Sequence, residues 1–272
     1  MLEDLRLKIT PPNEFNDPFE VTPYSKFTYS LKDLRARVAR EPQYLKEVYD
    51  KTVELTGYPH PFERFIADVP TVLPPAFKAF KRQFQEMQRD WDLRQIDEAS
   101  GTLGILCVSR LNDSIAMWSH YANHHRGIAL GFDLSHPCLG VGRFGQFEAV
   151  HYRSRRWRFD PSFADGTPEW FRELKGMIFR KSRIWEYEQE YRAFYLLNEL
   201  LHPPAGPDGK RHYFLNIDAG AIREVIFGCC VEPTYEQQIR AELIRRPKTF
   251  GHIKLLRCQR HPTRFELQVR PA

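Results

Sequence analysis

The chain has 272 residues, 42% of them hydrophobic and 28% charged, which is enough apolar material to bury a full core and too much for a disordered chain. Forty Lys and Arg against 35 Asp and Glu leave a net charge of +5, a balance that admits a nucleic-acid or phosphate-bearing partner without demanding one. No apolar run approaches the ~20 residues of a membrane helix, the N-terminus lacks the apolar core of a secretory signal, and the cysteines (107, 138, 229, 230 and 258) form no CxxC, so we expect a reduced, cytoplasmic chain with no membrane contact and no structural zinc.

Residues 5–9 alternate apolar and charged side chains and predict a short strand, ended by Pro11 and Pro12. FNDPFE follows at 15–20. Asn16 and Asp17 ahead of Pro18 favour a side-chain-bonded turn, because their side chains reach backbone N–H groups two residues on. The turn is either a rigid corner anchored by Phe15 and Phe19, or a pocket edge lined by Asn16 and Asp17. Residues 30–100 read as helical. Ser30 caps one helix with Asp33 in its first turn, Pro42 opens another that stops at Gly57, and a longer one lies within 74–100. There Phe77, Phe80, Phe84, Met87 and Trp91 recur at helical spacing and predict a core face. Prolines at 59, 61, 70, 74 and 75 segment the region, so it resembles a helical insertion between two sheet-forming parts.

The densest stretch is LCVSRLNDSIAMWSHYANHHRGIALGF, 106–132. Its residues predict a strand ending at Ser109, a turn in which Asp113 or Ser114 caps a helix, a helix over 116–123, and a buried strand over 128–132. Ser109 at a strand end, and His120 and Tyr121 beside Trp118, are polar groups that packing alone does not require. Sites are commonly built at such strand ends. His120 and His124 lie four apart without a third ligand nearby, so no metal is expected. Cys107, inside an apolar strand, reads as inert core.

The spacing GxGxxG occurs within 139–145, but no strand precedes it and a strand-like stretch, 147–152, follows it. A flexible loop is the reading, not a dinucleotide fingerprint. Arg153, Arg155, Arg156 and Arg158 surround Trp157, either as a solvated loop or as a nucleic-acid- or phosphate-facing patch. Residues 169–181 predict an amphipathic helix. If 188–197 is a strand, then Glu188, Glu190 and Arg192 share one face and Tyr191, Ala193 and Tyr195 take the other. The charged face is either the solvated side of an edge strand or the lining of a cleft. Strands at 213–217 and 222–227, a capped helix at 234–245, and strands at 252–258 and 265–269 complete the chain. Helices and strands mix without strict alternation, which favours an α+β fold with a mixed, largely antiparallel sheet, a single domain over 1–272 with 30–100 as its insertion.

Three blocks, FNDPFE at 15–20, CVSxxxxxxAMWSHYAxxHxG at 107–127 and KxxxWxYExExR at 181–192, together resemble a bacterial family, the domain of unknown function catalogued as twenty-nine seventy-one, over about residues 5–230. More remotely, the order of parts is similar to the ADP-ribosyltransferase superfamily, whose members include toxins. That resemblance implies an ADP-ribosyltransferase-type sheet and cleavage of the nicotinamide–ribose bond of NAD, used as a substrate. ADP-ribose would pass to a nucleic acid or protein, in a toxin or phage-defence setting. It implies that Glu190 and Glu188 are catalytic, holding a ribose hydroxyl and stabilising an oxocarbenium-like transition state. Ser109, Trp118, His120, Tyr121, Asn16 and Asp17 would line the NAD site, with an aromatic stacked on nicotinamide. Arg192 would orient the glutamate or meet the pyrophosphate. The resemblance departs at the N-terminus, where residues 2–5 read as a helix and no first-strand Arg or His stands ahead of them. The other readings are a non-catalytic nucleic-acid-binding module and a metal-dependent nuclease using Glu188 and Glu190.

Overall fold

A computed structural model describes every residue except 1, 3, 26–29, 42–43, 141–145, 160–166 and 207–208; it also leaves out the side chains of 24–25, 84, 86–96, 98 and 159. In chain order the elements are β1 (Arg6–Ile9), β2 (Tyr24–Ser25), α1 (Leu31–Arg40), α2 (Tyr44–Thr56), α3 (Phe62–Thr102), β3 (Leu103–Ser109), α4 (Ile115–Tyr121), β4 (Ile128–Phe132), β5 (Glu148–Ala149), β6 (His151–Arg153) and β7 (Arg158–Phe159). There follow α5 (Pro168–Ile178), β8 (Arg180–Ser182), β9 (Glu190–Leu196), β10 (Tyr213–Asn216), β11 (Ile222–Phe227), α6 (Pro233–Arg245), α7 (Pro247–Phe250), β12 (Lys254–Arg260) and β13 (Leu267–Pro271). The chain divides into two compact units, one of residues 1–22, 96–157 and 174–272, the other of 23–95 and 158–173.

The first unit carries the sheets that matter for the site. β9 lies between β3 and β5, antiparallel to both, with Ser109 opposite Glu190 and Cys107 opposite Arg192. A second sheet runs β13-β12-β11-β4, antiparallel except where β11 and β12 run parallel. β1 pairs antiparallel with β10, and a bridge between Thr10 and Ile105 ties β1 to β3. The architecture is therefore α+β with largely antiparallel pairing. A large part of the core is one apolar cluster built from β1, β9, β11 and neighbouring turns, with Ile9, Ala193, Val225 and Phe227 fully buried. Ala193 and Tyr195 are buried on the face of β9 opposite Glu190 and Arg192, so this strand has no solvated side.

The second unit is helical, as the composition of 30–100 predicts, and takes in β2 and β7 besides. Ser30 and Asp33 form a reciprocal cap, the Asp33 N–H donating to Ser30 Oγ and the Ser30 N–H to Asp33 Oδ2. Leu34, Phe65 and Leu73 pack together as the centre of this unit's own core.

Several expectations need correction. Pro70, Pro74 and Pro75 do not segment the region: α3 runs through all three. Each forgoes one backbone bond, while Phe65, Leu73 and Ala76 keep an apolar stripe buried on either side of them. Of the predicted stripe, Phe77 and Phe80 are half-buried; Phe84, Met87 and Trp91 lie outside the described side chains, as does Pro42 outside the described residues. The GxGxxG stretch likewise falls largely on 141–145, outside them. Residues 2, 4 and 5 form a turn, not a helix. The expected strand over 147–152 is broken at Val150: β5 pairs with β9, while β6 pairs parallel with β8. The helix expected to reach 181 stops at Ile178, because Arg180–Ser182 is drawn into that parallel pair.

Candidate active site

The site is a buried set of charges where β9 begins. Glu190 and Arg192 project to one side of β9, two residues apart, as strand periodicity requires. Glu188 arrives by a different route. It ends a 3-10 turn, Arg183–Glu188, and the next residue, Gln189, takes the left-handed conformation at φ 44°. This is an uncommon state for a side-chain-bearing residue and is held here by its neighbours. Ser109 Oγ donates to the Glu188 carbonyl at 2.7 Å and accepts from Leu111 N–H at 3.0 Å, and Arg110 N–H donates to the Gln189 carbonyl at 3.0 Å. The end of β3 thus stitches the turn that delivers Glu188. The expectation that Glu188 sits on the strand is wrong; its proximity to Glu190 comes from the left-handed turn.

Five ionisable side chains meet here, each at most 9% exposed in its side chain. Lys181 Nζ, from β8, donates to Glu188 Oε2, and to Glu190 Oε1 at 2.9 Å, and lies 3.6 Å from Glu20 Oε2. Arg192 donates from Nε to Glu190 Oε2 at 2.9 Å, from a terminal nitrogen to the Ile178 carbonyl at 2.7 Å, and from the other to Glu20. Its guanidinium also lies 5.6 Å from the centre of the Phe15 ring. Tyr152 OH accepts the Glu190 N–H at 2.8 Å. Both predicted settings for this face, an edge strand in solvent and an open cleft lining, are corrected: the charges are enclosed in protein, paired to one another.

The electrostatics follow from that enclosure. Burial pushes the Glu190 carboxyl up to about 7; Lys181 opposes the rise and the neighbouring Glu188 carboxylate adds to it. Burial disfavours the Lys181 ammonium, yet Glu190 and Glu188 outweigh it and hold the lysine charged above its ordinary range. Burial pushes Arg192 down to about 9, with Asp17 pulling back. Burial drives the Cys107 thiol well up, but the residue is half-buried and lines a cleft, so it is not the enclosed core cysteine expected.

Tyr121 connects this set to the surface. Its side chain belongs to α4, begun by Ser114, whose Oγ accepts from Met117 N–H at 3.4 Å. Tyr121 is 54% exposed, yet its hydroxyl donates to Glu188 Oε1 at 2.9 Å and accepts from Asn16 Nδ2 at 3.2 Å. Burial, with the Glu188 bond, pushes that phenol up to about 12, so it is a donor at neutral pH. Asp17 Oδ1 accepts from Phe19 N–H at 2.9 Å, which is the side-chain-bonded turn that FNDPFE predicts, and the residue is buried. Phe19 does not anchor that turn in the core: it is 61% exposed, with Arg156 at 5.9 Å from its ring.

Beside Tyr121 opens a cleft of about 880 Å³, walled by Ser109, Arg110, Met117 and Trp118 on one side and by Glu224, Tyr235 and Ile239 on the other. That volume falls in the range of small-molecule and cofactor sites. Trp118 is buried, and its indole N–H donates to the Asn112 carbonyl at 2.8 Å, so it serves as core wall and not as an open stacking face. His120 is exposed, its ring edge-on to Tyr121.

Of the arginine cluster, Arg153, Arg155 and Arg158 are exposed and Arg156 is half-buried. Arg153 donates to the Tyr152 carbonyl, Arg156 to the Thr22 carbonyl, and Arg158 belongs to the other unit. Trp157 is half-buried, pressed against Gly176, with the Arg180 guanidinium 4.9 Å from its ring centre. Among the described residues, no three His, Cys, Asp or Glu side chains are arranged to hold a metal ion, and the oxygens a nuclease would need are given to Lys181, Arg192 and Tyr121.

Sequence reasoning found Glu188, Glu190, Arg192, Tyr121 and Asn16, and missed Glu20, Lys181 and Tyr152. Glu20 closes the FNDPFE block and Lys181 opens the KxxxWxYExExR block, so the signal for both was their place in those blocks. Tyr152 carried none.

No curated protein matches the chain, and no solved structure does. Residues 117–193 match a family model described as a protein of unknown function (DUF2971), a shorter span than the three blocks suggest. That segment holds Tyr121, Lys181, Glu188, Glu190 and Arg192.

Proposed function

We propose that the Tyr121–Glu188–Glu190 centre is an NAD-cleaving site of ADP-ribosyltransferase type that passes ADP-ribose to a macromolecular acceptor. The observation that supports it most is the bond from an exposed phenol, on a helix beside a ligand-sized cleft, to Glu188, the fully buried member of a carboxylate pair. Packing has no need of such a set. Burying five charges carries a desolvation penalty of several kcal/mol per ion, only partly returned by pairing. A buried carboxyl pushed as far up as that of Glu190, near a cleft, is characteristic of sites that do chemistry.

In this reading the nicotinamide–ribose bond breaks with its electron pair going to nicotinamide. The ribose carbon becomes an oxocarbenium-like centre, and the acceptor nucleophile bonds to that carbon and loses its proton. The chain's part is electrostatic: the carboxylates stabilise the developing positive charge. Tyr121 is placed to meet the substrate first, and a substrate hydroxyl reaches Glu188 Oε1 by taking over the position of the Tyr121 hydroxyl. A toxin or phage-defence role fits that chemical class.

The test is nicotinamide release by the purified protein from NAD, with DNA, RNA and protein acceptors in turn. We expect release with at least one acceptor, and its loss in the Glu188→Gln/Glu190→Gln double variant, with circular dichroism as the check on folding. No release with any acceptor, or equal release by a folded double variant, rejects the reading.

A further inference from the structure

The charged set divides into two parts that differ in what they do. Glu20, Arg192, Glu190 and Lys181 form a closed ring of alternating sign. Arg192 bonds Glu20 and Glu190, and Lys181 bonds Glu190 and lies 3.6 Å from Glu20. Both oxygens of Glu190 are engaged by cations, Oε1 by Lys181 and Oε2 twice by Arg192. With both carboxyls ionised, this ring carries two charges of each sign. Glu188 stands outside it. One of its oxygens shares Lys181 with the ring, and the other accepts from Tyr121, the partly exposed phenol at the mouth. Glu188 is therefore a surplus negative charge, at 0% exposure, with a neutral donor on its outward oxygen.

We propose that Glu188 is the carboxylate that meets the substrate, and that Glu190, with Glu20, is structural, closing the ring that holds Lys181 and Arg192. The reasoning is positional. To release an oxygen for a substrate, Glu190 has to abandon an arginine or a lysine inside protein, which strands a buried cation. Glu188 has only to exchange one hydroxyl donor for another. A surplus buried charge also destabilises the resting fold, and such a cost is retained where a site needs it. The other groups near the pair do not remove the asymmetry. Tyr152 accepts the Glu190 backbone N–H, the Cys107 thiol faces the pair with its proton held on, and Asp17, which acts on Arg192, adds negative charge. The assignment reverses the order that strand position implies, in which Glu190 leads.

The inference deepens the NAD reading, and one of its two tests is independent of that reading. Thermal melting of Glu20→Gln and Glu188→Gln separates a ring member from the surplus group. Breaking a buried pair removes enough stability to lower the melting temperature by about 8 °C or more in a domain of this size, so Glu20→Gln should fall by that much or fail to fold. Glu188→Gln removes a charge without opening the ring and should melt within about 3 °C of the parent, or higher. If Glu188→Gln melts as low as Glu20→Gln or does not fold, or if Glu20→Gln melts with the parent, the division of roles is overturned. The second test is nicotinamide release, where a folded Glu188→Gln should lose at least about 100-fold in rate, the scale of a lost charge-stabilising group. Release within threefold of the parent overturns the proposal. If the parent itself releases none, the NAD reading fails and the melting order alone judges the ring.

Discussion

Glu190 sits between two cations and still has its acid pushed up to about 7, because burial and the nearby Glu188 carboxylate outweigh Lys181. The folded chain therefore binds a proton at a pH where the unfolded chain, with an ordinary carboxyl near 4.5, has released it. Stability from this site is present in full below about 4.5 and is lost as pH rises through about 7. A shift of that size corresponds to roughly 3 kcal/mol, of which burial is the larger part and Glu188 the lesser. Removing Glu188 should remove only its own share. The unfolding free energy of the parent minus that of Glu188→Gln should fall by about 1–2 kcal/mol between pH 5 and pH 8, measured by denaturant titration. A difference that does not change with pH would show that Glu188 does not press on Glu190. Taking the difference cancels the carboxylates elsewhere that are held low, such as Asp133 beside Ser135 and Arg223.

Among elements, α5 holds a contest between local preference and packing. Gly176 lies inside this helix, where propensity alone makes alanine better by about 1 kcal/mol. A Cβ at Gly176, however, would stand 2.2 Å from Trp157 Cε2, against a ring that Arg180 covers from another side at 4.9 Å. Packing wins, and Gly176→Ala should destabilise the protein by about 1–3 kcal/mol, read as a lower denaturation midpoint. A stabilised variant would mean that Trp157 moves freely, which its contacts do not suggest. The same helix shows how elements can be misjudged from sequence. Its amphipathic pattern continues to Lys181, yet Arg180–Ser182 leaves the helix to pair with β6. Strand pairing depends on a partner 29 positions away, His151 against Arg180, and local periodicity does not record it.

At the scale of the molecule, each unit has its own core. Phe65 is fully buried in the helical unit with Leu34 and Leu73, while Phe227 is fully buried in the sheet-bearing unit with Val225 and Ala193. Phe65→Ala should cost about 3–5 kcal/mol. Hydrogen exchange should show that loss in α1 and α2, with amide protection in β3 and β9 unchanged, since local openings follow separate cores. Equal loss in β3 and β9 would mean that the two units unfold as one. No helix among the described residues is long and apolar enough to cross a membrane, in keeping with the absence of a long apolar run in the sequence.

Much of this was legible in order along the chain. β1, β3, α4, β4, β11 and α6 stand within a few residues of where alternation, caps and glycines put them, and Ser30 and Asp17 make the cap and the turn that their types predict. Glu188, Glu190, Arg192 and Tyr121 could be singled out because polar groups in apolar surroundings are visible in sequence. What only the tertiary structure decided was their relation. Gln189 turns left-handed under bonds from the end of β3, Glu20 and Lys181 come in from distant segments to close a ring, and Tyr121 reaches Glu188 across 67 positions. Side-chain type and spacing govern local backbone preference, but the pairing of buried charges depends on distances through space, and those exist only once the sheets have assembled.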